Sequence, residues 1–214
     1  FWQFGTANYC VLDNGDICFF RSNDGNWEFG FASSDSSSIK VEQTDYMSYK
    51  SICTHRNQIY AIASGPLKPQ EIVSFDSDLN FRTRYKPNFM EFNINDISIG
   101  ESNYYPSSNG ELVHAFYYSP KNSQYTDNSC KLPPTIFLCH GGPTSATNSS
   151  LNFKIQFWTS RGFAVLDINY RGSSGFGKKY RARLKNNWGI FDIQDIHYAA
   201  IYFSRKSKID KSRC

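Results

Sequence analysis

Between residues 7 and 85, apolar and polar positions alternate in short runs closed by turn residues, the period-2 pattern of half-buried strands. Ala7–Asp13 and Asp16–Arg21 flank Asn14-Gly15, a hairpin dipeptide, and Trp27–Ser33 and Ser38–Gln43 follow. A second set, Tyr49–Arg56, Gln58–Ser64, Glu71–Ser77 and Phe81–Tyr85, repeats the first at a spacing of about 43 residues, with Glu28 over Glu71 and Asp35 over Asp78. Four strands in roughly 40–45 residues is the rhythm of a propeller blade. A β-sandwich is the competing reading of the same strands. Trp27, Phe29 and Phe31 fall at strand period, which predicts blade packing rather than a carbohydrate platform.

Past residue 105 the rhythm changes. Ile97–Tyr104 and Glu111–Ser119 predict one more hairpin, and Pro120–Lys131 a polar surface loop. Strand 134–139, a helix over about 150–161, strand 163–169, and helical segments over about 178–188 and 191–206 then alternate. Leu151, Ile155 and Trp158 predict the buried stripe of the first helix, with Gly162 at its C-terminal cap. Ile193, Ile196, Ala200 and Phe203 predict that of the last helix, where Asp192 and Asp195 suit the positive N-terminal end. Phe163–Asn169 is nearly all apolar, as a strand covered on both faces should be. The second half thus reads as the beginning of a doubly wound α/β sheet.

Composition narrows the class. Hydrophobic content of 40%, with 17% aromatic, suffices for packed cores. The net charge of +4 is dispersed until Arg205-Lys206-Ser207-Lys208, which fits a solvated helix end and not a nucleic-acid patch. No run reaches the ~18 apolar residues of a membrane span. The six cysteines (10, 18, 53, 130, 139, 214) show no C-x-x-C pair and no metal-ligand spacing, so reduced thiols and a cytoplasmic location are expected, with no metal. The sequon Asn148-Ser149-Ser150 would matter only in a secreted protein. A chain that opens on Phe1 is expected to be a fragment or a processed product.

The candidate chemistry begins where strand Pro134–Cys139 opens into His140-Gly141-Gly142-Pro143. Gly141 and Gly142 lack Cβ, so the backbone there can approach a substrate oxygen and aim N–H groups at an oxyanion. Pro143 has no N–H, so the donor must be a glycine, and its ring restrains the turn. His140 reads as a loop-orienting side chain, not a catalytic base. The matching nucleophile, a serine in a G-x-S-x-G elbow, is absent: Ser174 has Gly172 behind but Phe176 ahead, and Ser173 has Gly175 ahead but Arg171 behind. Gly172–Lys178 fits G-x-x-x-x-G-K, yet Lys179 stands where a phosphate loop needs Ser or Thr to hold Mg²⁺, so a tight structural loop is expected, with Arg171 in an anchoring or ion-pairing role. His55 and His114 have no ligand partners at suitable spacing, and His197 is expected to be a satisfied core residue. Asp167 and Asp192 are available, but nothing pairs two carboxylates for acid–base work.

His140-Gly-Gly-Pro-Thr-Ser, Phe157-Trp-Thr-Ser-Arg-Gly-Phe-Ala-Val-Leu-Asp-Ile-Asn-Tyr-Arg-Gly-Ser-Ser-Gly-Phe-Gly177 and Asn187-Trp-Gly-Ile-Phe-Asp192 together resemble the prolyl oligopeptidase family of serine peptidases, in its acylaminoacyl-peptidase and dipeptidyl-peptidase-like branch. The resemblance is dense over about 130–214 and looser before it. It implies the last blades of a β-propeller over 1–105, then the N-terminal part of an α/β-hydrolase domain over 106–214. It also implies a serine peptidase that cleaves short peptides behind the propeller, without cofactor, nucleic acid or membrane. Self-association at full length stays open. By family order Gly142 supplies an oxyanion-hole N–H and Gly141 shapes the loop. The triad serine, aspartate and histidine would all follow Cys214 and the remaining blades precede Phe1, so these 214 residues alone are expected to be inactive and poorly soluble. The alternatives are a non-catalytic propeller interaction protein, an esterase on the same fold, and a P-loop nucleotide binder.

Overall fold

A computed structural model of the chain describes residues 7–35, 37–78, 80–88, 91–126, 131–142 and 145–214. Phe1, Cys130 and Pro143 lie outside the described residues. Three four-stranded sheets account for the described strands. The first is an antiparallel meander of β1 (Tyr9–Val11), β2 (Ile17–Asn23), β3 (Asn26–Ala32) and β4 (Ile39–Glu42). The second repeats it with β5 (Ser48–His55), β6 (Gln58–Ser64), β7 (Glu71–Phe75) and β8 (Arg82–Tyr85). These are the blades that the 43-residue spacing predicts, and they share one core. Phe29 is fully buried at its centre, with Phe75 at 4.9 Å and Tyr49 at 5.7 Å between ring centroids, while Trp27 and Phe31 pack at its margin. Aromatic pairs at such distances stabilise beyond the area they bury.

The two-residue hairpin of the first blade is not the predicted Asn14-Gly15. Leu12 and Asp16 close a longer loop there, and Gly15 takes φ +86° within it. The tight turn is Asp24-Gly25, φ +48° and +81°, between paired Asn23 and Asn26. Both central residues are left-handed, as a type I′ turn requires.

The third sheet runs β11 (Thr135–Cys139), β12 (Ala164–Asn169), β10 (Leu112–Tyr118), β9 (Glu101–Pro106). β11 and β12 are parallel; β10 lies antiparallel to both β12 and β9. Helices α1 (Phe153–Thr159), α2 (Gly177–Ala182) and α3 (Phe191–Arg205) flank the sheet. All six residues of β12 are buried: Leu166 and Ile168 join the α3-side core with Phe203 and Ala199, and Val165 joins Ile155 of α1 on the other. Gly162 closes α1 at φ +88°.

Two expectations on α3 need correction. Ile193 is 60% exposed and His197 is exposed; the buried positions are Asp195, Ala199 and Phe203. The helix is rotated from its apolar stripe because Arg171, wholly buried, requires the carboxylate of Asp195 beneath it. His197 therefore faces outward and is not a core residue.

The blades meet the third sheet through the Asp24-Gly25 hairpin. Tyr104 Oη donates to Asp24 Oδ1 at 2.5 Å, and Asn26 Oδ1 accepts from both the N–H (3.0 Å) and the hydroxyl (2.8 Å) of Ser149. A Cβ on Gly25 would stand 3.0 Å from Phe116. Leu151 N–H donates to Gly65 O of the second blade at 2.8 Å.

Candidate active site

β11 delivers His140, Gly141 and Gly142 at its C-terminal end, beside the end of β12. Gly142 adopts φ +69°, a left-handed conformation that glycine enters without a Cβ clash. Both glycines are exposed, and a Cβ on either would meet nothing within 4 Å. Among the described residues, neither glycine N–H enters a backbone hydrogen bond.

The strand end opposite holds this turn residue by residue. Tyr170 stacks on the His140 imidazole (4.4 Å, 23°), and its hydroxyl reaches Gly142 O at 2.6 Å and His140 O at 3.1 Å. His140 Nε2 lies 2.7 Å from Ser173 Oγ, whose own proton is directed at Tyr170 O, also 2.7 Å away. That serine and histidine sit at nucleophile–base distance, but Ser173 is fully buried with its hydrogen spent on a carbonyl, so the pair is structural. Burial lowers the His140 pKa, against the pull of the Gly141 and Gly142 backbone. A neutral ring donating from Nε2 fits this arrangement, and Nδ1 has no hydrogen-bond partner among the described residues.

Further along the loop, Asn169 reads the backbone of Thr147 in both directions: Oδ1 accepts its N–H at 2.8 Å and Nδ2 donates to its carbonyl at 3.1 Å. The other Nδ2 hydrogen goes to Nδ1 of buried His114 at 3.1 Å, whose Nε2 bonds Ser102 Oγ at 3.0 Å. Burial drops the His114 pKa to about 4, Asp24 opposing. Thr147 Oγ1 donates to Asp167, whose pKa burial pushes up to about 6 despite that bond and Lys154. Asp167 and Asn169 were visible as polar positions at period 2 inside an apolar strand; Tyr170, Ser173 and Thr147 carried no signal of their partners.

The glycine-rich segment 172–178 packs as a structural loop. Gly172, at φ +108°, has Leu184 Cδ2 at 2.5 Å from where a Cβ would stand. Arg171 anchors it: Nη2 meets Asp195 Oδ1 at 2.8 Å, Nη1 meets Glu111 Oε2 at 2.9 Å, and Phe191 lies under the guanidinium. Desolvation alone would lower the Arg171 pKa, but the two carboxylates hold it above its ordinary value. Among the described residues no group of three His, Cys, Asp or Glu is placed to hold a metal ion. No described helix is long and apolar enough to cross a membrane.

Residues 149–214 match the model of the prolyl oligopeptidase family. The whole chain superposes on a Mycobacterium tuberculosis puromycin-hydrolyzing peptidase at TM-score 0.91 and 26% identity, covering 99% of this chain and 33% of that one. The chain thus resembles the prolyl oligopeptidase family in sequence over residues 149–214, and a puromycin-hydrolyzing peptidase in fold over 99% of its length. Similar proteins include a dipeptidyl-peptidase 4 of Giardia intestinalis, 31% identical over 128 residues (58% of this chain, 15% of the relative). Another is the acylamino-acid-releasing enzyme 2 of Oryza sativa, 27% identical over 197 residues (82% of this chain, 24% of the relative). The chain therefore spans under a quarter of these curated relatives' length. The likeness extends through the blades, so the fold is that of these solved peptidases: propeller blades followed by part of an α/β-hydrolase domain.

Proposed function

We propose that the protein is a serine-type peptidase cleaving short peptides through an acyl-enzyme, and that the Gly142 N–H is one donor of its oxyanion hole. Gly141 shapes the turn. In this reading residues 1–105 supply blades that restrict access and residues 106–214 the peptidase portion, with β9 straddling the division. The supporting observation is the turn itself: two exposed glycine amides at the C-terminal end of a parallel strand, outside the backbone ladders of the described residues. That strand end is where ligands bind in open α/β sheets. A serine hydroxyl attacking a peptide carbonyl places negative charge on its oxygen, and a preorganised N–H stabilises that charge by roughly 3–4 kcal/mol.

No serine here stands in G-x-S-x-G, so the 214 residues alone lack a nucleophile of that kind and are expected to be inactive. The test compares the protein at full length with the 214-residue chain, using chromogenic short peptides and acyl esters and a fluorophosphonate probe. Peptide turnover and labelling are expected at full length only, with peptides preferred over esters. Labelling of the 214-residue chain refutes its inactivity. Ester turnover without peptide turnover refutes the peptidase, and absence of any labelling at full length refutes serine chemistry.

A further inference from the structure

The carbonyls that Tyr170 touches belong to alternate peptide planes of the glycine turn. His140 C=O shares a plane with the Gly141 N–H, and Gly142 C=O belongs to the plane after Gly142. Between them lies the plane that carries the Gly142 N–H. Its Tyr170 contacts are therefore on both flanks, at 3.1 Å and 2.6 Å from one phenolic oxygen. A phenol has one proton, so the shorter contact takes it and the other carbonyl shares it at longer range.

The restraint matters because, among the described residues, nothing lies within 4 Å of where a Cβ on Gly141 or Gly142 would stand. Space is open around both glycines, and glycine has the widest choice of backbone angles of any residue. Tyr170 is itself held: it is 4% exposed, its ring lies against His140, and its backbone carbonyl takes the Ser173 hydroxyl proton. Burial, with Asp192 and Cys139 near, raises its pKa, so the phenol remains a donor across the neutral range.

We propose that Tyr170 is a positioning residue, which fixes the direction of the Gly142 N–H by holding the carbonyls on either side of it. The proposal rests on the reading of Gly142 as an oxyanion donor. It assigns Tyr170 no contact with substrate. Its hydroxyl acts through the loop, so its loss should weaken the bound transition state and leave ground-state binding intact.

The experiment uses Tyr170→Phe in the full-length protein, which keeps the ring stacked on His140 and removes only the hydroxyl. Expected is a kcat about 10- to 100-fold lower, the range for misplacing a catalytic group by about 1 Å, with KM nearly unchanged. A peptide aldehyde, which forms a tetrahedral adduct, should lose affinity in parallel, while a cleaved-product peptide should not. Tyr170→Leu, which loses both stack and hydroxyl, should show the same kcat defect with a lower melting temperature. Unchanged kcat in Tyr170→Phe, or aldehyde and product affinities falling together, overturns the proposal while native activity upholds the peptidase. A native protein that neither turns over peptide nor reacts with fluorophosphonate overturns the reading beneath it and the proposal with it.

Discussion

Arg171 and Asp195 form an ion pair with no exposed side-chain surface on either partner, Nη2 to Oδ1 at 2.8 Å, and Asp195 also accepts the Arg171 backbone N–H at 2.8 Å. The pair ties the loop after β12 to α3, and Ser107 Oγ donates to the same carboxylate at 2.5 Å. Two charges removed from water are tolerable here because each is paired with the other, and Glu111 and Ser107 take up further valences of the pair.

Removing Asp195 leaves the buried Arg171 guanidinium with only Glu111, a partly exposed carboxylate, as an ionic partner. Asp195→Ala should therefore destabilise the protein by roughly 3–5 kcal/mol, seen as a lower urea midpoint. Arg171→Met with Asp195→Leu, which removes both charges, should recover a substantial part of that loss. A double variant no more stable than Asp195→Ala alone would show that the residues act independently.

The proton balance of the polar network makes a second prediction. Asp167 has its pKa raised to about 6, so between its unfolded value of roughly 4 and 6 the folded state holds the extra proton and stability falls as pH rises. His114 has its pKa lowered to about 4, so between 4 and its unfolded value of roughly 6.5 the unfolded state holds the extra proton and stability rises with pH. The two slopes oppose each other. Asp167→Asn should remove the first and expose the second: relative to the native protein, its melting temperature should improve as pH goes from 4 to 6, by the equivalent of roughly 1–3 kcal/mol. Parallel pH profiles for the two proteins would rule out a titrating Asp167.

Much of this fold was legible because burial imposes period on sequence. The eight blade strands follow from alternation, β12 from its unbroken apolar run, and Ile155 and Trp158 of the α1 stripe from helical spacing, though Leu151 lies ahead of that helix; the strand boundaries shifted by only a few residues. α3 misled because its apolar residues are not its buried ones: Asp195 is turned inward by an arginine 24 residues earlier, and no periodicity announces such a demand. Gly141 and Gly142 stood out as a glycine pair after a strand, but what holds them did not. Tyr170 reaches Gly142 across 28 residues of chain, through a carbonyl that every residue possesses. A side chain bonded to backbone leaves no mark at its partner's position.

The glycine-rich loop offers a sharp contrast between packing and phosphate binding. Gly172→Ala would combine a strained backbone at φ +108° with a Cβ 2.5 Å from Leu184, whereas Gly110→Ala at φ +71° would meet nothing within 4 Å. Backbone strain alone is worth roughly 1–2 kcal/mol, and overpacking adds about 1–3. Gly172→Ala should thus lose markedly more stability than Gly110→Ala, and calorimetric titration of the native protein with Mg²⁺-nucleotide should give no heat of binding. Equal losses would mean that Leu184 moves freely aside; measurable nucleotide binding would restore the phosphate-loop reading.

The blades grip the loop behind the glycine turn through Asn26. Asn26 Oδ1 accepts two hydrogen bonds from Ser149, one from the backbone and one from the hydroxyl, and Ser149 is buried. Only acceptor capacity is used in these bonds, so aspartate can replace asparagine and keep both. Asn26→Ala cannot, and it leaves two donors unpaired at a cost of roughly 1–3 kcal/mol. Asn26→Ala should accordingly lower the urea midpoint and speed amide hydrogen exchange over residues 147–151, where Thr147 is held from the side of the third sheet by Asn169 and Asp167. Asn26→Asp should leave both measurements close to native. If alanine and aspartate behave alike, the contact contributes shape and not hydrogen bonding, and the blades do not restrain that loop through Ser149.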